Sequence, residues 1–343
     1  MRRLLNTLYI TSEDSYLTLE GENILVKKGG DTAARFPLHT LEGIISFAYA
    51  GASPALMGAC AERGIGLSFC TQNGRFLART VGKTQGNVLL RRAQYRAADD
   101  ESVSTVVASA MLTGKVFNAR QNIERTIRDH GLRVDVEKLR VASVSLKASL
   151  GSIRSAGSLD ELRGFEGDAA AVYFACFNEM ILRSKECFQY TSRSRRPPLD
   201  EINALLSFVY MLLAGLCANA LEAVGLDSYV GFLHRDRPGR ASLALDLMEE
   251  LRPFFADRFV LTLINNRIVQ PHDFEKQESG AVSISDDARK RLLTAWQERK
   301  RDTITHPYLC EKIPLGLVPY VQSQLLARFL RGDIDGYPPF MMR

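Results

Sequence analysis

Hydrophobic and polar residues follow two different patterns, strand-like in about the first 85 residues and helical thereafter. Four short β-prone runs occur in the first part, at residues 15–19, 23–27, 66–70 and 75–81. The dipeptide Asn73-Gly74 supplies the positive φ that a hairpin turn between the last two runs needs. Residues 54–63 are rich in Ala and unbranched side chains, which favour a helix. The N-terminal part is therefore predicted to be mainly β, with one helix packed on it.

Beyond about residue 87, apolar residues recur at the spacing of helices. Helices are predicted at residues 103–129 and 134–153, and near 241–255, 284–301 and 315–331. Ser158 and Glu161 are spaced as a capping box that opens a further helix, and Asp200 can cap a long apolar one. We expect an α+β fold, with a mainly β domain at residues 1–86 followed by a larger all-α domain at residues 87–343. Two domains also suit a chain of 343 residues, because one core serves roughly 250–300.

The uncharged stretch between Glu201 and Glu222 raises the question of a membrane span, which takes roughly 18–20 residues. Asn203 and Asn219 shorten its apolar part to residues 204–218, too few to span a bilayer. A helix that is apolar on all sides can also be the central helix of a helical domain. We expect that central position, and no membrane association.

Composition and charge describe an ordinary globular protein. Apolar residues make up 46% of the chain and charged residues 24%. The net charge of +5 permits a polyanionic partner but does not require one. The six cysteines include no C-x-x-C pair, and the N-terminus carries no cleavage site typical of a signal peptide. A reducing, cytoplasmic location is therefore expected.

One histidine and two acidic residues stand out in the helical part. His234 closes a mostly apolar run, just before the polar loop at residues 235–240. Asp246 and Glu249 are three residues apart, so on a helix they share one face about 5–6 Å apart. Two adjacent carboxylates repel unless a cation or proton lies between them, and carboxylates with imidazole favour Mn²⁺ or Mg²⁺, with Zn²⁺ possible. An amphipathic helix with a wet acidic face beside a core histidine would show the same spacing.

A third acidic residue, Glu166, stands between two glycines. Gly164 and Gly167 are poor helix formers, each costing about 1 kcal/mol relative to Ala. Such glycines are tolerated where a ligand or another backbone approaches closely. A simple kink between two helices would explain them equally well.

Basic residues lie between these acids along the chain. Arg193, Arg195 and Arg196 precede Pro197 and the long apolar helix. Such a run is usually a solvated loop. Its functional interpretation is phosphate binding next to a metal, since Arg matches phosphate geometry with paired donors.

Four motifs in this order resemble the Cas-one (Cas1) integrase family of the CRISPR adaptation machinery. They are LRGFEG at 162–167, RRPP at 195–198 with NALLSF at 203–208, GFLH at 231–234 and DLMEELRP at 246–253. The tail, with YVQ at 320–322 and LARFLRG at 326–332, also looks like that family. The resemblance covers essentially the whole chain, and the series is specific although each motif alone would be weak.

The resemblance implies a metal-dependent enzyme whose site residues can be assigned motif by motif. The metal ligands would be Glu166, His234 and Glu249, and Asp246 matches an acidic position beside the metal, as ligand or neighbour. The metal would be Mn²⁺ or Mg²⁺, and no nucleotide cofactor is needed. Arg193, Arg195 and Arg196 would contact DNA phosphates.

The resemblance also implies the reaction and the partners. A 3′-hydroxyl of a short foreign DNA fragment would attack a phosphodiester of CRISPR repeat DNA and insert the double-stranded fragment as a new spacer. Water in place of that hydroxyl would give endonuclease activity. The protein would be a homodimer joined through its β domains, and the Cas-two (Cas2) protein would bridge two dimers.

Two other functions remain open from the sequence. One is a metal-dependent nuclease that acts on branched DNA in repair, which a joining assay with a free 3′-hydroxyl fragment would separate from an integrase. The other is a non-catalytic DNA-binding scaffold, in which the acids are only a wet helix face. The scaffold predicts that Glu166→Ala leaves metal binding unchanged.

Overall fold

The strands of the N-terminal part form two sheets. The computed structural model describes residues 5–72, 74–82, 88–195 and 197–342. The strands are β1 (Asn6–Ile10), β2 (Ser15–Glu20), β3 (Asn23–Lys28), β4 (Asp31–Pro37), β5 (Leu41–Ser46), β6 (Gly66–Cys70) and β7 (Phe76–Arg79). β2, β3 and β4 form an antiparallel meander, and the other sheet has the order β1-β5-β6-β7, with only the β6–β7 pair antiparallel. The helix α1 (Pro54–Glu62) precedes β6.

The four predicted strand runs and the predicted helix are confirmed to within two residues at each end, while β1, β4 and β5 lie outside the predicted runs. Gly74, between β6 and β7, has a φ of 77°, as the predicted hairpin turn requires. Asn73, the other half of that dipeptide, lies outside the described residues.

The longer C-terminal part is built mainly from helices. They are α2 (Val88–Asp99), α3 (Glu101–His130), α4 (Val136–Ser155), α5 (Leu159–Ala175), α6 (Glu201–Ala223), α7 (Ser242–Leu251), α8 (Arg258–Asn265), α9 (Asp286–Arg301) and α10 (Val318–Leu330). A π-helical segment, Arg252–Asp257, joins α7 to α8. Two small hairpins that the sequence pattern does not predict are β8 (Phe274–Lys276) with β9 (Val282–Ile284) and β10 (Thr303–Thr305) with β11 (Lys312–Pro314).

Side-chain caps begin the helices that carry or border the site. Ser158 accepts the backbone N–H of Glu161 at 3.2 Å and starts α5 as predicted. The Glu161 carboxylate accepts the backbone N–H of Gly157, whereas the predicted capping box would require the N–H of Ser158. The contact is therefore shifted by one residue. Asp200 accepts the N–H of Asn203 at 2.7 Å and starts α6, also as predicted.

α6 lies in the core of the helical part, as expected from its all-round apolar character. Among the described residues it is the one helix long and apolar enough to cross a membrane, and 61% of its apolar window is buried inside the protein. Leu205, Leu206 and Leu213 are fully buried, and Phe208 stacks on Phe47 near the β sheet. The predicted central position of this helix is therefore confirmed.

Buried residues form two hydrophobic clusters, one inside the N-terminal strands and a larger one among the helices. Lys300 of α9 joins the two parts, because its buried ammonium donates to Thr7 Oγ1 at 2.9 Å and to Glu42 Oε1 at 2.6 Å. Arg79 of β7 and Glu222 of α6 form a second ion pair between them. The predicted domain boundary after residue 86 falls within residues 83–87, which lie outside the described residues, so the boundary stays a prediction.

Candidate active site

Three helices and one loop bring a cluster of charged side chains together. Lys115 comes from α3, Glu166 from α5 and Glu249 from α7, and His234 lies in the loop that precedes α7. α3 packs against both α5 and α7, and residues far apart in sequence therefore meet here. Lys115, which the sequence analysis does not predict, contacts both Glu166 and Glu249, and His234 lies close enough to Glu249 to help lower its pKa.

Asp246 of α7 is fully buried and organises the loop that carries His234. Its Oδ2 accepts the backbone N–H groups of Phe232 and Leu233, at 2.6 and 3.0 Å. Its Oδ1 accepts the backbone N–H of His234 at 3.0 Å and lies 2.6 Å from Nδ1 of the same imidazole. A carboxylate that accepts three N–H groups is an acceptor for the ring as well, so in the neutral form of this imidazole the proton is on Nδ1 and the lone pair is on Nε2.

The backbone around this carboxylate leaves no room for a side chain at Gly231. A Cβ added there would lie 2.7 Å from Asp246 Oδ2 and 2.8 Å from Ser242 Cβ. The glycine in the GFLH motif is therefore required by close packing of the loop on the start of α7. On its other side the loop is tied to α5, because Arg163 donates to the Leu233 carbonyl from Nε at 3.2 Å and from Nη2 at 2.8 Å.

Glu249 lies between two cations in the interior. Its Oε1 is 2.8 Å from Arg252 Nη2 and its Oε2 is 2.7 Å from Lys115 Nζ, and its side chain is only 4% exposed. Burial would raise the pKa of Glu249, but Arg252, Lys115 and His234 outweigh burial and lower the pKa to about 2. The carboxylate is therefore ionised at any pH near neutrality.

Lys115 also contacts Glu166, so one ammonium group bridges two carboxylates. It forms an ion pair with Glu166 Oε1, from a side chain that is 10% exposed against 30% for the glutamate. Glu166 is thus the acid nearest to solvent, and Glu249 forms the closed end of the site. Asp246 and Glu249 are both buried, so the wet acidic face considered from the sequence is wrong.

Glu166 stands in the middle of the unbroken helix α5, and the kink considered from the sequence is wrong as well. A Cβ at Gly164 or Gly167 would meet nothing within 4 Å. Neither glycine is needed for packing within this chain. The open surface beside Glu166 fits the other interpretation, close approach of a ligand.

Arg252 begins the π-helical segment directly after α7. Such segments are rare and often lie at functional sites. The carbonyl of Pro253, in this segment, accepts a hydrogen bond from Asn122 Nδ2 at 2.8 Å. The Arg252 guanidinium lies 4.7 Å from the centre of the Tyr210 ring, and the Tyr210 hydroxyl donates to Asp257 at 2.5 Å. The distorted helix thus fixes the arginine that neutralises Glu249.

The three predicted phosphate-binding arginines differ in their surroundings. Arg193 donates to Asn203 Oδ1 at 2.5 Å and to Ser207 Oγ at 3.1 Å, so its guanidinium is used inside the protein. Arg195 is exposed. Arg196 lies outside the described residues.

Lys115 and Arg252 are the site residues that sequence analysis misses. A signal for Lys115 exists, because it falls on a stretch of α3 whose neighbours Met111, Leu112 and Val116 are all buried. A lysine at such a position is rarely buried without a partner. Arg252 lies three residues after Glu249, the spacing of an ion pair on a helix.

The donor groups suit a divalent cation, and the position of Lys115 supports that. Its ammonium shows that positive charge is stabilised between Glu166 and Glu249. Asp246 contacts Nδ1 of His234 and does not occupy Nε2. Within the described part of the chain, no three His, Cys, Asp or Glu side chains are grouped closely enough to hold an ion as they are oriented. Two carboxylates and one imidazole are a donor set that suits Mn²⁺ or Mg²⁺.

Comparison with known proteins gives consistent results over the whole chain. The sequence profile of the family described as CRISPR associated protein Cas1 matches residues 8–298. CRISPR-associated endonuclease Cas1 1 of Chlorobaculum tepidum is 47% identical over 343 residues, covering 100% of both chains. CRISPR-associated endonuclease Cas1 2 of Rhodospirillum rubrum is 48% identical over 347 residues, again covering 100% of both.

Two solved structures show the same fold. A casposase bound to integration product superposes with a TM-score of 0.84 at 21% identity, covering 99% of this chain and 95% of the other. A CAS1 protein from Thermotoga maritima gives 0.82 at 20% identity, covering 98% and 100%. The predicted order of strands followed by a larger helix-rich region is confirmed. Because the family profile matches most of the chain and two relatives are 47% and 48% identical over its full length, this chain belongs to the CRISPR associated protein Cas1 family.

Proposed function

We propose that this protein is a metal-dependent DNA endonuclease and integrase that inserts short DNA fragments into a CRISPR array. The proposal is carried by one observation. The buried Asp246 carboxylate holds His234 by Nδ1, near Glu249, and Glu249 and Glu166 are already paired with one cation. Neither a solvent-exposed acidic face nor a DNA-binding scaffold requires such an arrangement. The Cas1 endonucleases at 47% and 48% identity support the same reaction class.

Glu166, His234 and Glu249 would hold Mn²⁺ or Mg²⁺. The bound ion would lower the pKa of the attacking hydroxyl and offset charge on the phosphate oxygens. Glu249 is ionised and fixed by Arg252, and His234 presents Nε2 because Asp246 occupies Nδ1. Asp246, whose two oxygens are used by backbone and ring N–H groups, is proposed to orient the histidine rather than to bind the metal.

The proposed reaction exchanges one phosphodiester bond for another. The 3′-oxygen of the fragment forms a new bond to phosphorus in the repeat DNA, and the 3′-oxygen of the cut strand leaves with a proton. No nucleotide cofactor is consumed, because the number of phosphodiester bonds is unchanged. Water in place of the fragment hydroxyl makes the same site an endonuclease.

DNA and Cas2 are the proposed partners. Solved relatives of the same fold are described as a casposase bound to integration product and a Cas6-RT-Cas1–Cas2 complex. We propose a homodimer, two copies of which a Cas2 protein bridges, acting in the cytoplasm. Arg195 is exposed for a phosphate contact, and Arg196 is proposed for the same role.

Joining of a labelled DNA fragment into a plasmid with a CRISPR array tests this function directly. The assay contains Mn²⁺ or Mg²⁺ and the Cas2 partner, and compares wild type with His234→Ala. Loss of joining in the variant, by at least about 100-fold, is expected. His272→Ala is the matched control, because that histidine is exposed on the surface, and it should join DNA like wild type.

Other outcomes distinguish the rival functions. Metal-dependent cutting without joining, under conditions where Cas2 binds, would favour a nuclease that acts on branched DNA. Equal joining by wild type and His234→Ala would mean that the site is wrong. A non-catalytic scaffold predicts no metal-dependent cutting even by wild type, and the same metal affinity for Glu166→Ala and wild type.

A further inference from the structure

We propose that Lys115 is an exchangeable cation of this site, which neutralises Glu166 and Glu249 and competes with the divalent ion for them. This inference rests on the proposed metal site. The lysine forms an ion pair with Glu166 Oε1 and lies 2.7 Å from Glu249 Oε2. It thus occupies the place that a metal ion bound to Glu166 and Glu249, two of the three proposed ligands, would take.

Lys115 donates its well-directed hydrogen bond to Glu166 Oε1 and reaches Glu249 Oε2 as an ion pair. Among the described residues, Glu249 Oε2 is a buried oxygen without a hydrogen-bond partner, although the ammonium lies 2.7 Å away. The other oxygen of the same carboxylate is held by Arg252 at 2.8 Å. Oε2 therefore faces the site with a lone pair that a metal ion can take.

Lysine has the properties that exchange requires, whereas the neighbouring arginine has those of a fixed partner. An ammonium is a point charge on a flexible stem with rotatable donors. A guanidinium is planar and pairs in a fixed geometry, and Arg252 is further held against the Tyr210 ring. A divalent ion bound by the same oxygens would repel the Lys115 ammonium at close range. We infer that Lys115, not Arg252, gives up its contacts.

A further buried carboxylate, Asp257, lies on the Arg252 side of the site, because the Tyr210 ring against the Arg252 guanidinium carries the hydroxyl that donates to Asp257 at 2.5 Å. Asp257 is buried, and burial raises its pKa to about 6, while Tyr210, Arg252 and Lys115 pull that pKa down. The charge of Lys115 is thus already felt at this carboxylate. Displacement need not leave a buried ammonium without any negative partner, which would be costly.

Exchange has two consequences for the protein. Without a divalent ion, Lys115 keeps two neighbouring carboxylates from repelling each other, so that α3, α5 and α7 stay packed. With the ion, the free energy of breaking the Lys115 contacts is subtracted from the free energy of metal binding. Lys115 therefore lowers the metal affinity while it stabilises the metal-free fold.

Titration of Mn²⁺ into the full-length protein by calorimetry, with melting temperatures at zero and saturating Mn²⁺, tests this role. Lys115→Met and Lys115→Gln remove the charge, and both variants should bind Mn²⁺ at least about tenfold more tightly than wild type. Both should also melt lower than wild type without Mn²⁺, and show a larger rise in melting temperature upon its addition. Lys115→Arg keeps the charge in a less displaceable form, and should bind Mn²⁺ no more tightly than wild type.

Two controls separate failure of this inference from failure of the proposed site. Lys300→Met removes another buried ammonium, the one paired with Glu42, and should leave the Kd for Mn²⁺ unchanged. Glu249→Gln should abolish binding. If wild type and Glu249→Gln bind Mn²⁺ equally, the metal site itself is wrong. If Glu249→Gln loses binding but both neutral Lys115 variants keep the wild-type Kd or bind more weakly, the metal site stands and exchange is overturned.

A neutral variant that folds only with Mn²⁺ would support the inference. In that case the Mn²⁺ concentration at half-maximal folding replaces the Kd. A neutral variant that fails to fold at any Mn²⁺ concentration would show that Lys115 is a fixed part of the core, and would overturn exchange.

Discussion

Nδ1 of His234 lies 2.6 Å from Oδ1 of Asp246, and the same oxygen accepts the backbone N–H of His234 at 3.0 Å. One carboxylate thus fixes both the backbone and the ring of the histidine. This contact determines that Nε2 is the ring nitrogen left for a ligand, which the spacing of twelve residues in the sequence could not show. The relationship supports our proposal that Asp246 orients the histidine, where the sequence left ligand and neighbour open.

Asp246→Asn should therefore lower metal-dependent cutting by roughly 10–100-fold. The amide has one acceptor atom instead of two, so it cannot satisfy the backbone N–H groups of the loop and the ring together. The measurement is cleavage of labelled DNA against Mn²⁺ concentration. Asp236→Asn, an exposed acid in the following loop, is the control and should cut like wild type. Full activity of Asp246→Asn would remove Asp246 from the site.

Gly231→Ala should destabilise the protein by about 1–3 kcal/mol, because its Cβ has no space beside Asp246 and Ser242. The same strain should displace His234 and lower activity. Urea unfolding followed by circular dichroism gives the free energy, and Gly58→Ala, where a Cβ meets nothing within 4 Å, is the control. An unfolding free energy equal to that of wild type would show that the loop can relax.

Gly164→Ala offers the opposite combination of effects. Alanine in the middle of α5 should raise the free energy of unfolding by about 0.5–1 kcal/mol, since a Cβ there meets nothing. If DNA approaches closely beside Glu166, the same methyl group should weaken DNA binding. Gly151 in α4 has the same open surroundings, so the Gly151→Ala protein should gain stability without losing DNA affinity. Equal DNA affinity of the two variants would contradict close approach at Gly164.

The pH dependence of stability should report Glu250, the residue next to Glu249. Burial raises its pKa to about 7, although hydrogen bonds from Tyr337, Phe340 and Gln322 act in the opposite direction. A carboxyl group whose pKa is raised by folding stabilises the protein below its unfolded pKa, and that contribution is lost as pH rises through the folded pKa. The free energy of unfolding should therefore fall between about pH 4.5 and 7, by up to about 3 kcal/mol from this group.

Glu250→Gln should remove that part of the pH dependence. Urea unfolding at several pH values from 4.5 to 8 measures it, and Glu278→Gln, at an exposed position, should keep the wild-type slope. An unchanged slope in Glu250→Gln would show that Glu250 does not titrate in this range.

Arg195 and Arg193 should differ when each is replaced by Ala. Arg195 is exposed, so its loss should weaken DNA binding and reduce the slope of log affinity against log salt by about 0.9 per phosphate contact. Arg193 is bonded to Asn203 and Ser207, so its loss should mainly lower stability. Fluorescence anisotropy at several salt concentrations, together with thermal melting, separates the two effects. Equal salt slopes for Arg195→Ala and wild type would exclude the phosphate contact.

Local signals were sufficient for much of the fold. Capping residues such as Ser158 and Asp200 mark helix starts, and the apolar run after Asp200 predicts a core helix. These features depend on residues within about four positions of each other. The hairpins β8–β9 and β10–β11 were missed because three-residue strands carry too little pattern, and their pairing depends on the helices around them.

The sequence by itself determined the order of strands and helices, and its family resemblance singled out Glu166, His234 and Glu249 as the candidate metal ligands. Only the tertiary structure decided that Asp246 and Glu249 are buried, and that Lys115, 51 residues before Glu166, lies between the acids. The physical reason is that helical periodicity relates positions three or four apart on one face. Which faces of α3, α5 and α7 meet depends on side-chain packing across the whole core, and that packing places a cation between acids from different helices.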